Sequence, residues 1–486
     1  MFSVTMLHLK RGLKSMYSEA KLIKPRVEPP LDRDFRPSVL YNHAFLEAVR
    51  RSGKEEPLGI AIERNNGMTS VFRTFVFSEQ FKMVKTNQYY VERLVKTLLW
   101  MWGGWKVTIG GSRKVGHYIE NEYSPRGKRA FDAEFMGGVY GKPFTVEKVD
   151  FNDLPQPKEE TVHLSRHLDG CRIGFDAGAS DRKVAAVING EVVFSEVVVW
   201  NPKVQSDSNH HFNEIMSALR TAALHMSKVD AIGVSAAGIY INNHVRVASL
   251  FRGIPKEMFE KKVANLFLEI KEEWGGIPLE VIHDGDVAAL AGAISLNDTR
   301  VLGIALGSSE AGGYIDRQGN ITGWLNELAF VPVDFNSNAP VDEWSGDSGC
   351  GAQYYSQEAV VRLAPKAEIA LEEKHTSAQK LKYVQTLLSE GYEDAKKIFE
   401  TIGSYMRYGI AYYADFYDIK HVLLMGRVTS GEGGNIIFRK AEEVLKVEFP
   451  DLAARIRIHL PDESSRRVGQ AIAAASLPSI KQGKEM

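Results

Sequence analysis

A turn between two predicted strands holds residue types that suit a phosphate group. Residues 171–187 have the pattern of strand, turn and strand, and the turn carries Asp176, Gly178, Ser180 and Lys183. Such a turn can wrap backbone N–H groups and a hydroxyl around phosphate oxygens, while the acid faces the metal ion that accompanies them. An ordinary β-hairpin with polar turn residues is the alternative for this stretch taken alone.

A second stretch places acids where a predicted strand meets a predicted helix. The strand ends at Ile282, and His283, Asp284 and Asp286 lie before a run of small residues. A carboxylate at this point can take the proton of a hydroxyl group that attacks a phosphate. We assign that role to Asp284. Helix capping is the alternative for both acids, and we expect it for Asp286.

Two further glycine-rich turns follow predicted strands downstream. Gly307, Ser308 and Ser309 can approach phosphate oxygens, and Gly426 together with residues 431–434 leaves room for a flat nucleobase. Each turn is a weak signal by itself, because glycine-rich hairpins are common. Three such turns with an acid-bearing strand end between the first two indicate a nucleotide site.

Length and composition limit the remaining possibilities. A chain of 486 residues predicts two to four domains, and its net charge of -1 gives no reason to expect nucleic acid or an anionic membrane as a partner. The two cysteines cannot form a disulfide framework or a multi-thiolate zinc site, and they fit a reducing cytosol. No apolar run approaches the roughly 20 residues that span a bilayer. Residues 1–14 lack the pattern of a signal peptide. These features predict a cytoplasmic protein.

The chain divides in its first third. Residues 151–168 carry two prolines and little periodic apolar content, which is typical of a linker. Before them, the pattern predicts strands over 58–63 and 71–77, a helix over 90–102 and a strand over 105–109. This order resembles the order after residue 171. Residues 40–150 are therefore interpreted as a degenerate half-repeat without the hydroxyl and lysine that bind phosphate.

The remainder alternates strands and helices. Three strands follow residue 171, and after them come a helix over 212–226, a strand over 229–238, a helix over 259–274 and a strand over 279–282. Such an order predicts a mixed sheet covered by helices, with the ligand at the strand ends. We divide the chain into an extra N-terminal α+β domain with its linker (1–168), a first lobe (169–295) and a second lobe (296–486) whose last helix packs back.

The motifs after residue 170 resemble those of the actin-like ATPase superfamily, and within it they are similar to the ROK family of sugar kinases and sugar-responsive repressors. Asp176-Ala-Gly-Ala-Ser-Asp-Arg-Lys183 resembles its first phosphate motif, and Leu306-Gly-Ser-Ser-Glu-Ala-Gly-Gly313 its second. His283-Asp-Gly-Asp-Val-Ala-Ala-Leu290 resembles the sugar and catalytic motif, Asn326-Glu-Leu-Ala-Phe330 a second sugar motif, and Met425-Gly-Arg-Val-Thr-Ser430 the adenosine turn. The resemblance covers about residues 170–478.

The resemblance implies a two-lobed α/β fold of the ribonuclease H type, with ATP and Mg²⁺ between the lobes. It assigns the catalytic base to Asp284, sugar contacts to His283 and Glu327, and a water-mediated Mg²⁺ contact to Asp176. The implied phosphate contacts are Gly178, Ser180, Lys183, Gly307, Ser308 and Ser309, and the adenosine contacts are Gly426, Thr429 and Gly434.

Several positions depart from the family pattern. The family holds a zinc ion with one His and three Cys, but here Phe330 stands at the His position and Cys350 is the only thiol nearby. We therefore expect no zinc, and a loop over 334–348 held by packing of Trp344 and by hydrogen bonds. The sugar-binding glutamate of the zinc loop falls near Ala352.

Two departures concern the substrates. A pocket with His283 and Phe330 is expected to prefer a sugar other than plain glucose, with selectivity set by the loops 230–245 and 320–360. Glu310 places an acid beside the expected γ-phosphate, unless its side chain points away or binds Mg²⁺. It is the main argument against ordinary ATP turnover.

Two functions remain open at this stage. The first is an ATP-dependent kinase of a hexose or amino sugar, and the second is a sugar- or nucleotide-binding sensor of the same fold with little or no catalysis. A repressor would need a helix-turn-helix near the N-terminus, but a predicted hairpin over 58–77 follows the single helix over 42–51. The expected partner is a small-molecule sugar, with no nucleic acid and no membrane. Association into a homodimer stays open.

Overall fold

The computed structural model describes residues 23–159, 167–178, 181–461 and 463–480. Residues 23–159, called here the first unit, form a sheet with the strand order β2-β1-β3-β4. Its elements are α1 (Ser38–Arg51), β1 (Glu55–Glu63), β2 (Thr69–Phe77), α2 (Val84–Trp102), β3 (Lys106–Gly110), α3 (Arg113–Glu122), α4 (Ala130–Tyr140) and β4 (Thr145–Val149). The predicted hairpin, helix and strand are confirmed, and the helix begins earlier than predicted. The predicted linker lies partly outside the described residues, as does the chain start.

Residues 167–283 form the middle lobe, whose main sheet has the order β11-β8-β5-β6-β7. Its elements are β5 (Cys171–Ala177), β6 (Asp181–Ile188), β7 (Glu191–Val199), α5 (Ser208–Ala223), β8 (Ala231–Ala236), β9 (Ile239–Ile241), β10 (His244–Val247), α6 (Lys256–Met258), α7 (Leu266–Glu273) and β11 (Leu279–His283). A π-helical turn, Phe259–Val263, interrupts the helix predicted over 259–274.

Residues 284–480 form the last lobe, with the sheet order β13-β12-β14-β15. Its elements are α8 (Asp284–Leu296), β12 (Val301–Leu306), β13 (Glu310–Ile315), α9 (Gln357–Leu363), α10 (Ser377–Ser389), α11 (Glu393–Tyr413), β14 (His421–Met425), α12 (Glu432–Glu448), α13 (Pro450–Arg455), β15 (Arg457–His459) and α14 (Glu463–Ala475).

The middle and last lobes share one strand plan. In each, a hairpin (β5–β6 or β12–β13) is followed by two strands that run parallel to its first strand. This repeat confirms the predicted two-lobed α/β fold with an additional N-terminal α+β region. The first unit repeats the order of elements, but β3 runs antiparallel to β1, whereas β8 runs parallel to β5.

The end of the chain returns to the middle lobe. The backbone of α14 lies directly on β5 and β8, where a side chain at Gly174 or Gly233 would meet the backbone oxygen of Ala471 or Ala474 at 1.9 and 1.6 Å. Only glycine tolerates so close an approach. The small residues of α14 therefore pack the last helix against the sheet that carries the first predicted phosphate turn.

Aromatic side chains join the first unit to the last lobe in one hydrophobic core. The ring of Phe35 lies 4.7 Å from that of Tyr405, and Trp100 stacks on Phe330 at 4.1 Å. Thr97 and Tyr412 share a hydrogen bond of 2.7 Å between their hydroxyls. The first unit and the last lobe therefore pack around one shared hydrophobic core.

A buried group of charged residues, called here the charge cluster, completes this junction. It consists of Glu92, Arg93, Lys96, Arg129, Asp132 and Asp347, and the exposed fraction of each side chain is 6% or less. Asp347 comes from the last lobe and lies 2.9 Å from both Arg93 Nη1 and Arg129 Nη1. Lys96 Nζ donates to Asp132 Oδ1 at 3.0 Å. Three positive and three negative charges are thus buried together.

Hydrogen bonds and the charge cluster hold the loop over 334–348. Tyr354 donates its hydroxyl to Asp334 Oδ2 at 2.7 Å, and the backbone N–H and the hydroxyl of Ser345 both donate to Asp342 Oδ1 at 2.7 Å. The prediction that Trp344 packs here is wrong, since 59% of its surface is exposed. A tryptophan cannot stabilise a loop by burial when most of it faces water.

We expect Asp347→Asn to lower the free energy of unfolding by about 3–5 kcal/mol, because two arginines and a lysine would then share an uncompensated buried charge. Urea unfolding followed by circular dichroism measures this loss. Glu79→Gln, which breaks the exposed pair with Lys114, is the matched control and should cost less than about 1 kcal/mol. Equal losses for the two variants would contradict a structural role for the charge cluster.

Candidate functional site

The site forms at the junction between β11 and α8. The backbones of α8 and β13 touch here, because a side chain on Gly285 would lie 2.1 Å from the carbonyl oxygen of Gly312, and one on Gly313 would lie 2.1 Å from that of Gly285. This contact sets the first turn of α8 firmly against the last lobe. Asp284 occupies that turn and keeps 34% of its side chain exposed.

Three of the predicted site residues come together at this junction. His283 Nε2 lies 3.1 Å from Asp284 Oδ1. Burial lowers the pKa of His283, but the charges of Asp284, Glu327 and Asp286 outweigh it and the net pKa is raised. Burial raises the pKa of Glu327, against the attraction of His283 and with a smaller contribution from Asp284. These residues therefore form one electrostatic group.

Asp286 has a different role from the one expected. The helix has no side-chain cap, so the capping prediction is wrong. The Asp286 carboxylate instead accepts hydrogen bonds from the backbone N–H of Tyr314 at 3.1 Å and from Asn326 Nδ2 at 2.8 Å. Tyr417 donates its hydroxyl to Asn326 Oδ1 at 2.9 Å. Burial raises the pKa of Asp286 to about 7. These hydrogen bonds position the 326–327 segment. The sequence analysis assigned no role to Asn326.

In the first predicted phosphate turn, the acid Asp176 is paired with Lys183. Asp176 and Lys183 are direct partners in the β5–β6 hairpin, and Lys183 Nζ donates to Asp176 Oδ2 at 2.7 Å. Ser235 donates to the other carboxylate oxygen at 2.9 Å. Burial raises the pKa of Asp176 despite Lys183, and the charge of Asp284 adds to this rise. Gly178 lies at the turn, and Ser180 lies outside the described residues.

The second predicted phosphate turn presents Ser308 and Ser309 to solvent, with Gly307 half-buried beside them. Glu310 points away from this turn. Its side chain is buried in the last lobe, where Tyr413 donates a hydrogen bond to Oε1 at 2.9 Å, and Oε2 lies against Gly351. Burial raises the pKa of Glu310 to about 8. Of the alternatives given for Glu310, the structure therefore shows the one in which its side chain points away from the turn.

A cleft of about 1040 Å³ separates the two lobes. Lys183 lines it from the middle lobe, Asp284 lines it at the junction, and Gly426 lines it from the last lobe. Thr429 and Gly434 were predicted to contact adenosine, but both are buried beneath the turn. Thr429 donates its hydroxyl to the carbonyl of Gly426 at 2.9 Å, and a side chain on Gly434 would lie 2.0 Å from the carbonyl oxygen of Thr429.

Sequence reasoning missed several other residues of this cleft wall. They are Arg427, Asn435, Phe438 and His459. Asn435 and Phe438 are three positions apart on α12, and this spacing after the glycine run could have identified them as one helix face. His459 ends a strand that only the sheet pairing brings to the cleft.

A second, smaller cavity of about 270 Å³ lies beside the junction. His283 and Asp286 line it, together with residues 238–242 and 321–325, which belong to the loops predicted to set selectivity. Residues of the first unit line it as well, and no sequence pattern indicated this. Phe330 does not line the cavity, because its ring stacks on Trp100. The prediction that Phe330 shapes the pocket is not supported by this packing.

The first unit also supports the segment that carries Glu327. The backbone N–H groups of Leu325, Asn326 and Glu327 donate to the carbonyls of Trp102, Met101 and Trp100 at 3.2, 2.8 and 3.0 Å. The last carbonyls of a helix have no partners within the helix. The end of α2 thus holds the segment that carries Glu327, which directly follows the cavity-lining residues 321–325.

The described residues contain neither a metal-binding cluster nor a membrane-spanning helix. Nowhere in those ranges do three or more His, Cys, Asp or Glu side chains gather as a metal site. None of the helices in the same ranges is both long and apolar enough to cross a membrane. Both cysteines, Cys171 and Cys350, are buried and free.

The chain has similarities among solved structures. A ROK family glucokinase from Streptomyces griseus matches with 20% identity and a TM-score of 0.47, over 62% of this chain and 98% of that one. A ROK hexokinase from Thermus thermophilus matches with 17% identity and a TM-score of 0.47, over 63% and 97%. A ROK family transcriptional regulator, a homolog of the E. coli MLC protein, matches with 15% identity and a TM-score of 0.48, over 63% and 78%. No family model and no curated protein matches the sequence.

We expect the stability of the protein to fall as pH rises from about 5 to about 8, in part because of Glu310. Its pKa is about 8 in the folded chain against an ordinary 4.5, so between these values the folded state binds more protons than the unfolded state. The resulting slope is at most about 1.4 kcal/mol per pH unit. Urea unfolding of the wild type and of Glu310→Gln across this range isolates the contribution. Parallel stability curves for the two proteins would refute it.

Proposed function

We propose that the protein transfers the γ-phosphoryl group of ATP to a hydroxyl group of a sugar. The observation that carries this proposal is the position of the junction between two cavities. Asp284 lines the large cleft, the adjacent His283 lines the small cavity, and their side chains are 3.1 Å apart. A base at such a boundary can reach a hydroxyl on one side and a phosphate on the other.

The residues of the large cleft suit a nucleoside triphosphate. Lys183 supplies an ammonium group at the cleft wall, and the exposed hydroxyls of Ser308 and Ser309 lie on the facing lobe. Gly426 lines the cleft from the last lobe, and a side chain at this position would lie 2.4 Å from the carbonyl oxygen of Leu306. Phosphoryl transfer depends chiefly on positioning and on compensation of phosphate charge, and these groups provide both.

Asp176 fits a Mg²⁺ ion that is held through water. Such an ion keeps several waters and needs one or two carboxylates besides the phosphates of its nucleotide. Asp176 offers one carboxylate, whose oxygens now accept bonds from Lys183 and Ser235. When bound, the ion would neutralise charge that develops on the transferred phosphoryl group.

The proposed chemical step uses Asp284 as general base. The Asp284 carboxylate accepts the proton of the sugar hydroxyl while the oxygen of that hydroxyl attacks the γ-phosphorus. The bond from this phosphorus to the bridging oxygen of ADP breaks. His283 lies beside the carboxylate of Asp284. Glu327 interacts electrostatically with both residues, and we assign it to the neighbouring hydroxyls. Movement of the two lobes toward each other would exclude water, which is a competing acceptor.

The orientation of Glu310 supports turnover over the sensor alternative. A carboxylate beside the γ-phosphate would repel it, but Glu310 is bonded to Tyr413 inside the last lobe and its raised pKa favours the neutral form. The argument from Glu310 against catalysis therefore no longer applies.

We expect Asp284→Asn to lower the rate of phosphoryl transfer at least about 100-fold, because the amide cannot accept the proton. ADP release with Mg²⁺ over a series of hexoses, amino sugars and N-acetylated sugars measures this. Asp451→Asn is the control, since it makes the same substitution at an exposed position of the last lobe that does not line the cleft. It should change the rate less than about ten-fold.

The fold and ATP affinity of Asp284→Asn should match those of the wild type, as measured by circular dichroism and calorimetry. Near-normal turnover by this variant would exclude Asp284 as the base. ATP binding by the wild type without ADP release on any sugar would instead favour the sensor.

A further inference from the structure

The first unit forms one wall of the small cavity. Its contribution comes from the turn between β1 and β2, with Arg64 and Asn65, and from Tyr140 and Glu159 beside that turn. His283 lies in the same lining, next to Asp284. The cavity therefore extends from His283, the neighbour of the proposed catalytic base, to the first unit.

Hydrogen bonds among its own side chains and to Trp324 hold this wall in place. Arg64 Nη1 donates to Ser70 Oγ at 2.8 Å and Nη2 donates to Glu159 Oε2 at 2.5 Å, and only 5% of the Arg64 side chain is exposed. Trp324 Nε1 also donates to Glu159, at 3.4 Å. Because these groups are fixed before a ligand arrives, a ligand would not have to order them.

The chemistry of the lining suits a neutral polyol. The charges of Arg64 and Glu159 compensate each other, so this pair favours neither an anionic nor a cationic ligand. Asn65, Asn242 and Thr322 offer amides and a hydroxyl, and such groups can both donate to and accept from sugar hydroxyls. Ile239, Ile282 and Ile321 supply aliphatic surface for the C–H faces of a ring.

Two polar atoms of the cavity lining have no hydrogen-bond partner in the described part of the chain. Asn65 Oδ1 and Thr322 Oγ1 are buried and have no hydrogen-bond partner there, although Asn65 Nδ2 donates to the carbonyl of Tyr140 at 3.3 Å. An unpaired buried acceptor is unfavourable. A ligand hydroxyl that donates a hydrogen bond to Asn65 Oδ1 would remove this cost, and the affinity of the protein for that ligand would be higher.

We propose that the first unit is the selectivity element of the sugar pocket. Asn65, supported by the Arg64–Glu159 pair, binds the end of a neutral monosaccharide that is remote from the hydroxyl facing Asp284. The identity of the cavity as a sugar pocket rests on the proposed function. The role of Asn65 goes beyond it, since no motif of the nucleotide-binding lobes includes the first unit.

The test measures sugar binding separately from catalysis. Calorimetry of the full-length protein without nucleotide would use D-glucose, D-mannose, D-glucosamine, N-acetyl-D-glucosamine and N-acetyl-D-mannosamine. We expect Asn65→Ala to weaken the tightest-binding sugar about ten-fold or more and to change the order of affinities. Asn121→Ala, the same substitution at an exposed position of the first unit, should leave both unchanged. ATP affinity should be unchanged in both variants and reports on folding.

The outcomes separate this inference from the proposed function. Unchanged affinities and an unchanged order in Asn65→Ala would overturn the inference, even if ADP release occurs. Absence of binding by the wild type for every sugar of the panel would overturn it as well. Weaker sugar binding in Asn65→Ala, without ADP release by the wild type, would support the inference and refute the kinase. If Asn65→Ala does not fold, Asn65→Ser is measured by the same criteria.

Discussion

Burial of charge at the boundary of the first unit is the constraint on which the pocket depends. Within the charge cluster, the first unit contributes Arg93, Lys96 and Arg129 but only two of the three acids. Asp347 of the last lobe supplies the third acid. Because an uncompensated buried charge is strongly unfavourable, the first unit reaches electrical balance only when it is docked on the last lobe.

Docking has a direct consequence for the site. It brings the C-terminal carbonyls of α2 to the backbone N–H groups of residues 325–327, and those bonds hold the segment with Glu327. The same segment carries Trp324 into the small cavity, opposite the turn with Arg64 and Asn65. A region that looks from its sequence like an added domain thus shapes the pocket next to the proposed base.

The four acids near the site differ through their surroundings. Asp284 stays partly open to the cleft, whereas burial raises the pKa of Asp286 to about 7 and that of Glu310 to about 8. Asp176 retains Lys183 as its partner. The surroundings of Asp284 and Asp176 agree with the roles proposed for them, whereas Asp286 and Glu310 support the packing. Sequence motifs indicated the roles of Asp284 and Asp176, but not the packing roles of Asp286 and Glu310, because their partners Asn326 and Tyr413 are distant in the chain.

The sequence by itself determined the hairpin with Asp176 and Lys183 and the strand end with Asp284, because these depend on local periodicity and on turn residues a few positions apart. The two-lobed plan was implied by the resemblance of the motifs to a known family. Only the tertiary structure decided the direction of Glu310, the structural role of Asp286, the exposure of Trp344 and the contribution of Asn65 to the cavity. Each of these depends on a partner far away in the chain, such as Tyr413 for Glu310 and Asn326 for Asp286. Long-range packing brings these partners together, and no local pattern records it.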